Sequence, residues 1–312
     1  MTTRRVFLYA LLAFFPAFGL TQAFAVDHNG DWTISKSAAP GKVDFSLIEH
    51  REHGTSSHSS DWPISSFQGV DFSKSGRQDV RFTITRDAGK LECEGFLNDG
   101  EGAGLFHFQP DPDFQRQMSS LGFSVDDEKQ FSMVVQDVSL DFSRQMKSEN
   151  LTDLDADKLV AFRIFGVDDA FIHNLRAEGL KISDSDKLIA FRIHGVTPEM
   201  VRSLHQAGYS PDEDTLIAMR IQGATPEWMA GLKQCGYDHV DLEKLIAFRI
   251  HGVSPEFIGK LQGLGYKHPD PDQLIAMRIH NVTPEFIAGL QSRGMHDLSI
   301  DQLVSMRIHG ID

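Results

Sequence analysis

The segment Leu188-Ile-Ala-Phe-Arg-Ile-His-Gly-Val-Thr-Pro-Glu199 recurs along the chain with small changes, at residues 216–227, 245–256 and 274–285. The arginines of this segment mark the period, because they are spaced 29, 28, 29, 29 and 29 residues apart. They are Arg163, Arg192, Arg220, Arg249, Arg278 and Arg307. Self-similarity at a fixed period of this length indicates a repeat protein, in which each unit is one supersecondary element.

Each repeat contains the signals for two short helices. The first helix begins at Thr197-Pro198-Glu199, where threonine caps free amides, proline suits the first helical position and glutamate faces the positive end of the dipole. It ends at Gly208, since glycine readily adopts a left-handed conformation. The second helix begins at Asp212 and ends near Gly223. Its apolar residues are predicted to be buried, and they are Leu216, Ile217, Met219 and Ile221.

Counting from the capping residue gives seven units. The cap positions are Asp111, Ser139, Asp168, Thr197, Thr225, Ser254 and Thr283, and the stop positions are Gly122, Asn150, Gly179, Gly208, Gly236, Gly265 and Gly294. Helices of about nine residues are unstable alone in water, so neighbouring units must share a core. We therefore expect residues 111–312 to form an α-solenoid of seven two-helix repeats of 28–29 residues.

Residues 26–110 show the two-residue alternation of β-strands. Val43, Phe45 and Leu47 alternate with polar residues, and residues 80–84 follow the same pattern. Residues 91–108 are typical of a hairpin with a long turn. We expect five or six antiparallel strands in a small β-sandwich or barrel. The predicted fold class is therefore α+β in two domains.

The N-terminus has the features of a secretory signal peptide. Arg4 and Arg5 precede an apolar run over residues 6–20, and small residues at positions 23 and 25 suit cleavage after Ala25. Residues 1–25 are thus a predicted signal peptide, and the mature protein is expected to be periplasmic or secreted without a transmembrane span. Cleavage removes two arginines and takes the formal charge from −14 to −16. Such an acidic chain is a poor partner for nucleic acid.

Two sets of residues are candidate binding residues. The six repeated arginines could line a groove that receives carboxylates of a peptide, or each could cap a carbonyl or pair with a glutamate of its own or the next unit. Trp32 and Trp62 could stack on a sugar or peptide, or be buried in the β-domain.

The sequence contains no catalytic motif, and no cofactor is expected. His50, His53 and His58, with Glu49 and Glu52, form the densest ligand-type cluster, but their spacing lacks the zinc-peptidase arrangement. No metal site is therefore assigned. Cys93 and Cys235 leave open one disulfide or two buried thiols.

The repeat phrase, together with Asp87-Ala-Gly-Lys-Leu-Glu-Cys-Glu-Gly-Phe96 and Gly102-Ala-Gly-Leu-Phe-His-Phe108, resembles an uncharacterised bacterial region attached to BlaR-type membrane peptidases and antirepressors. The resemblance covers nearly the whole mature chain and implies sensing or protein contact outside the cytoplasm. This chain lacks the multi-helix membrane part and the zinc-peptidase motif, so the resemblance does not imply peptidase activity here.

These observations predict a non-enzymatic extracytoplasmic scaffold that binds a protein or peptide along the array. The alternative is a ligand-sensing or cell-wall-glycan-binding protein whose site lies in the β-domain. The open C-terminal end of the array also leaves room for association with another copy.

Overall fold

The computed structural model describes residues 28–51 and 54–311, and the predicted signal peptide at residues 1–25 lies outside them. The described chain is α+β in two parts, an antiparallel sheet followed by a repeat-like helical array. The strands are β1 (Asn29–Lys36), β2 (Lys42–Arg51), β3 (Gly54–Pro63), β4 (Arg77–Arg86), β5 (Gly89–Asn98) and β6 (Glu101–Pro110).

The six described strands form one open sheet in the order β3-β2-β1-β6-β5-β4. The expected sandwich or barrel is therefore wrong, because residues 28–51 and 54–311 contain no second sheet and β3 and β4 do not pair to close this one. Aromatic side chains fill the inner face instead: Phe45 of β2 and Phe82 of β4 both contact Phe67, which lies between β3 and β4 in the chain. Arg86 of β4 also stacks over the Trp62 ring of β3 at 3.9 Å. The two edge strands, β3 and β4, are therefore joined by side-chain contacts, whereas in a closed barrel they would be joined by backbone hydrogen bonds.

Fourteen helices follow within the described residues. They are α1 (Pro112–Ser120), α2 (Asp127–Val135), α3 (Leu140–Ser148), α4 (Ala156–Phe165), α5 (Asp169–Ala177), α6 (Ser185–His194), α7 (Pro198–Gln206), α8 (Glu213–Gln222), α9 (Pro226–Gln234), α10 (Leu242–His251), α11 (Pro255–Gly263), α12 (Pro271–Ile279), α13 (Pro284–Ser292) and α14 (Ile300–Ile308).

The helix boundaries follow the capping residues of the sequence. All seven predicted cap residues, from Asp111 to Thr283, precede a first helix and accept a backbone N–H bond on their side chain. The seven stop residues, Asn150 included, all have positive φ. Local chemistry thus sets the length of each odd-numbered helix at nine residues.

Alternate helices pack on one another. Among the even-numbered helices, each from α2 to α12 contacts the next even-numbered helix, and odd-numbered helices such as α5 and α7 contact each other in the same way. Five of the even helices bury an apolar residue completely at one equivalent position, occupied by Phe162, Phe191, Met219, Phe248 and Met277. Because a helix of nine or ten residues has little stability of its own, this shared interior stabilises the array.

The sheet covers the front of the helical array. Phe131 of α2 stacks on Phe106 of β6, with ring centroids 5.8 Å apart. Gln130 donates to the carbonyls of Ala88 and Asp111, at 2.7 and 2.8 Å. Arg86 donates to two carbonyls at the end of α2. These contacts give the first helices a neighbour in place of a preceding repeat.

Within residues 28–51 and 54–311, no helix combines the length and apolar character needed to cross a membrane.

Candidate functional site

One isoleucine in each of the last six sequence repeats is exposed. These residues, called the isoleucine row, are Ile164 (54%), Ile193 (54%), Ile221 (56%), Ile250 (56%), Ile279 (54%) and Ile308 (58%). The prediction that Ile221 is buried with its helix neighbours is therefore wrong. Isolated exposed apolar residues are ordinary on protein surfaces, but six equivalent ones form a pattern.

Helix geometry explains this exposure. At 3.6 residues per turn, Ile250 is rotated by about 140° from Leu245 and about 200° from Phe248. Leu245 and Phe248 face the interior, at 2% and 0% exposure, so Ile250 must face solvent. The same rotation applies to Ile221, which lies two residues after the buried Met219. A helical-wheel argument applied to the repeat would have found the row from the sequence.

The isoleucines are aligned because successive even helices are in register along their length. At the N-terminal ends, each of several lysines bonds to an aspartate of the next even helix. The pairs are Lys129–Asp157, Lys158–Asp186, Lys187–Asp214 and Lys244–Asp272. Packed helix axes lie about 8–10 Å apart, so the isoleucine row has about this spacing.

The repeated arginines, called the arginine row, precede the isoleucines and join adjacent repeats. Arg163, Arg220, Arg249 and Arg278 each donate from Nε to a carbonyl at the end of the preceding even helix, at 3.1, 3.0, 3.0 and 3.2 Å. Since those carbonyls have no partner within their own helix, the cationic donor satisfies them and offsets the negative end of the dipole.

Most guanidinium groups of the arginine row also stack on aromatic rings of the odd helices. Arg192 lies 3.7 Å above Phe171, Arg249 lies 5.2 Å above Trp228 and Arg278 lies 5.0 Å above Phe257. Arg163 and Arg307 stack on Phe142 and Phe286 in the same way. Of the two alternatives from the sequence, the geometry matches carbonyl capping, and the arginines thereby also hold the repeats together.

Carboxylate partners differ along the arginine row. Arg163 pairs with Asp137 at 3.3 Å, and Arg192 lies 3.9 Å from Asp168. In the described part of the chain, Arg220, Arg249 and Arg278 form no ion pair, and their terminal nitrogens lie beside the glycines that end the preceding helices. The sequence shows which caps carry a carboxylate, but only the packing shows that Asp137 and Asp168 lie within reach of an arginine.

The two candidate tryptophans lie inside the β-domain. Trp32 is 0% exposed and donates to the carbonyl of Glu94 at 3.2 Å, and Trp62 is 3% exposed. Gly95 and Gly104 pack so closely on Trp32 that a Cβ atom at either position would lie 2.7 Å from its ring. In this conformation neither indole offers a face to a ligand.

The outer face of the sheet carries a smaller apolar patch. Leu105 is 58% exposed and Phe96 is 36% exposed. Leu105 is flanked by Asp31 on β1 and Glu94 on β5 in the register of the sheet. This patch is an exposed apolar surface of the β-domain.

The histidine cluster does not form a metal site in the described residues. Glu49 is buried and bonds to His28, and His50 bonds to Asp31 at 2.9 Å. His53 and Glu52 lie outside the described residues. No group of three or more His, Cys, Asp or Glu side chains in the described chain could hold a metal ion.

Cys93 and Cys235 are both free thiols. Burial raises the pKa of the Cys93 thiol, so this side chain stays protonated and unreactive at neutral pH.

The isoleucine row offers apolar surface, and the arginine row beside it offers positive charge. No family model, curated protein or solved structure matches the chain.

Proposed function

We propose that this chain is a non-enzymatic extracytoplasmic scaffold that binds a protein or peptide along its helical array. In this proposal, residues 111–312 are an α-solenoid of seven two-helix repeats, and the partner lies on the isoleucine row. The packing of alternate helices and the recurring caps support the solenoid.

The isoleucine row is the observation that carries the proposal. Each member is more than half exposed, although for the first five members the residue two positions earlier in the same helix is completely buried. A repeated apolar residue that contributes little to the interior is accounted for when a partner covers it.

The energetics favour an extended partner. Full burial of an aliphatic side chain contributes about 1.5–3 kcal/mol, and each isoleucine retains roughly half of this. The whole row therefore supplies about 5–9 kcal/mol, which is comparable with the 4–15 kcal/mol cost of association. A partner must contact several repeats before binding becomes favourable.

The array is poorly suited to catalysis. Catalysis needs unlike residues that converge at one place, whereas the rows repeat the same side chains at similar exposure. Repeated surfaces of this kind suit extended partners. The signal-peptide pattern and the resemblance to extracytoplasmic repeat regions support a location in the periplasm or outside the cell.

A binding experiment with matched variants tests the proposal. The variant Ile221→Ser/Ile250→Ser/Ile279→Ser removes the centre of the row, and Leu105→Ser removes an equally exposed apolar side chain from the β-domain. Each is used as bait in envelope extract, and captured proteins are quantified by mass spectrometry. The proposal predicts a protein retained by the wild type and Leu105→Ser but lost by the triple variant. Equal recovery of the captured proteins with all three baits would rule out the isoleucine row as the binding surface.

The second candidate is ligand binding on the β-domain, favoured by the exposed Leu105 and Phe96. Here the array serves as a spacer. The same experiment separates the two functions, because this candidate predicts loss with Leu105→Ser and retention with the triple variant.

A further inference from the structure

The arginines in the middle of the arginine row, Arg220, Arg249 and Arg278, have different capping residues beside them from Arg192. Asp168 caps the helix next to Arg192, whereas Thr197, Thr225 and Ser254 cap the corresponding helices in the repeats of Arg220, Arg249 and Arg278. A hydroxyl accepts a hydrogen bond from a free backbone N–H at the start of the helix as a carboxylate does, but it carries no charge. Three successive guanidinium groups are thereby left without a carboxylate partner in the described chain.

Nearby glutamates do not neutralise these arginines by direct contact. Glu227 and Glu256 lie in the first turns of α9 and α11. Hydrogen bonds to their own backbone and to the capping hydroxyl lower the pKa of both carboxyl groups, and Arg220 adds a smaller effect on Glu227. These carboxylates are therefore held at the ends of their own helices. Since Nε of each arginine is bonded to a carbonyl, the terminal nitrogens remain as donors.

The spacing of the isoleucine row selects a backbone conformation for the partner. Stacked helices place equivalent residues about 8–10 Å apart. A polyproline II helix has three residues per turn and rises about 3.1 Å per residue, so one side repeats every 9.3 Å or so. An α-helix repeats the same side after seven residues, about 10.5 Å, and a β-strand after two residues, about 6.6 Å. Of the three, the polyproline II repeat lies inside this range, the α-helical repeat lies just above it and the β-strand repeat lies below it.

We propose that Arg220–Ile221, Arg249–Ile250 and Arg278–Ile279 form a docking surface for an acidic, proline-rich segment with an apolar residue at every third position. Its apolar residues contact the isoleucines and its carboxylates contact the unpaired guanidinium groups. The inference rests on the proposed scaffold function and adds the chemistry of the partner. Charge-assisted contacts of this kind give specificity and are weakened by salt.

Three labelled peptides test the chemistry by fluorescence anisotropy with the full-length mature protein. The first is Glu-Ile-Pro repeated six times, the second replaces each Glu with Lys, and the third replaces each Ile with Ser. We expect the first peptide to bind at least about tenfold more tightly than either of the others, and to weaken as salt rises.

A pair of cap variants tests the role of the unpaired arginines. Thr197→Asp/Thr225→Asp/Ser254→Asp gives each arginine the carboxylate that Arg192 has, and the matching asparagine variant caps the helices without charge. We expect the aspartate variant to bind the acidic peptide at least about tenfold more weakly, and the asparagine variant to bind it like the wild type.

Binding of the lysine peptide as tightly as the glutamate peptide would overturn the acidic specificity, as would equal binding by the two cap variants. No binding of any peptide would also overturn the inference. In each case, a partner captured from the envelope through the isoleucine row would still support the scaffold function. Failure of the proposed peptide specificity is therefore distinguishable from failure of the proposed scaffold function.

Discussion

The even helices carry two repeated apolar columns that lie only two residues apart and have opposite surroundings. Phe248 and its equivalents in α4, α6, α8 and α12 are completely buried, whereas Ile250 and its equivalents are 54–58% exposed. Both columns recur with the same regularity in the sequence. The recurrence of an apolar residue in every repeat therefore does not place that residue in the interior. The exposed fraction of its side chain decides whether it belongs to the interior or to the surface.

Substitutions in the two columns should give the largest difference in the free energy of unfolding. Phe248→Ala leaves a cavity in a fully packed interior and should reduce the free energy of unfolding by about 3–5 kcal/mol. Ile250→Ala should reduce it by about 1 kcal/mol or less, because more than half of the side chain is already in water. Urea denaturation followed by circular dichroism measures both. Similar losses for the two variants would contradict the assignment of the columns.

The sequence predicts the helix pairs well because the caps act locally. Thr197 and Gly208 bound α7 as expected, since a hydroxyl and a left-handed residue determine helix ends without distant contacts. It fails for Ile221, which was grouped with its apolar neighbours although helix rotation separates them. It also could not predict the open sheet or decide between the two roles that it offered for the arginines. Those depend on Phe67 filling the inner face and on carbonyls that only packing brings into reach.

The contacts between repeats should give the next largest effect. Arg249→Lys keeps the charge but loses the planar group that bonds the Gln222 carbonyl and stacks on Trp228. We expect a loss of about 1–2 kcal/mol in the free energy of unfolding. The control is Arg81→Lys on the sheet surface, whose salt bridge to Glu94 is exposed and should contribute little. A loss no larger than that of the control would show that the arginine row does not hold the repeats together.

Two glycines with the same backbone conformation isolate the arginine contact further. Gly166 and Gly223 both have φ of +72°, so alanine is strained at either position by about 1 kcal/mol. A Cβ at Gly223 would also lie 2.8 Å from a terminal nitrogen of Arg249, whereas at Gly166 it meets nothing within 4 Å. Gly223→Ala should therefore cost up to about 1 kcal/mol more than Gly166→Ala in urea denaturation. Equal costs would mean that the guanidinium group moves freely.

A tyrosine contact between repeats should give a smaller effect with a distinct pH dependence. The Tyr237 hydroxyl donates to the Pro269 carbonyl at 2.6 Å, and burial raises the pKa of Tyr237 to about 12. This contribution is fully present below the unfolded pKa near 10, and is lost as the pH rises through about 12. Tyr237→Phe should cost about 1 kcal/mol at pH 8.

The pH profile provides the check on this residue. Between pH 10 and 12, the wild type should lose stability relative to Tyr237→Phe, which cannot ionise at this position. Parallel unfolding curves for the two proteins across that range would contradict a buried, neutral hydroxyl.

The most direct test of the central claim measures folding and binding together on Ile221→Ser/Ile250→Ser/Ile279→Ser. If these side chains serve a partner rather than the interior, the triple variant should lose less free energy of unfolding than Phe248→Ala does alone, while the captured protein is lost. A larger loss of stability with undiminished capture would contradict the account, because the row would then stabilise the fold and leave binding to another surface.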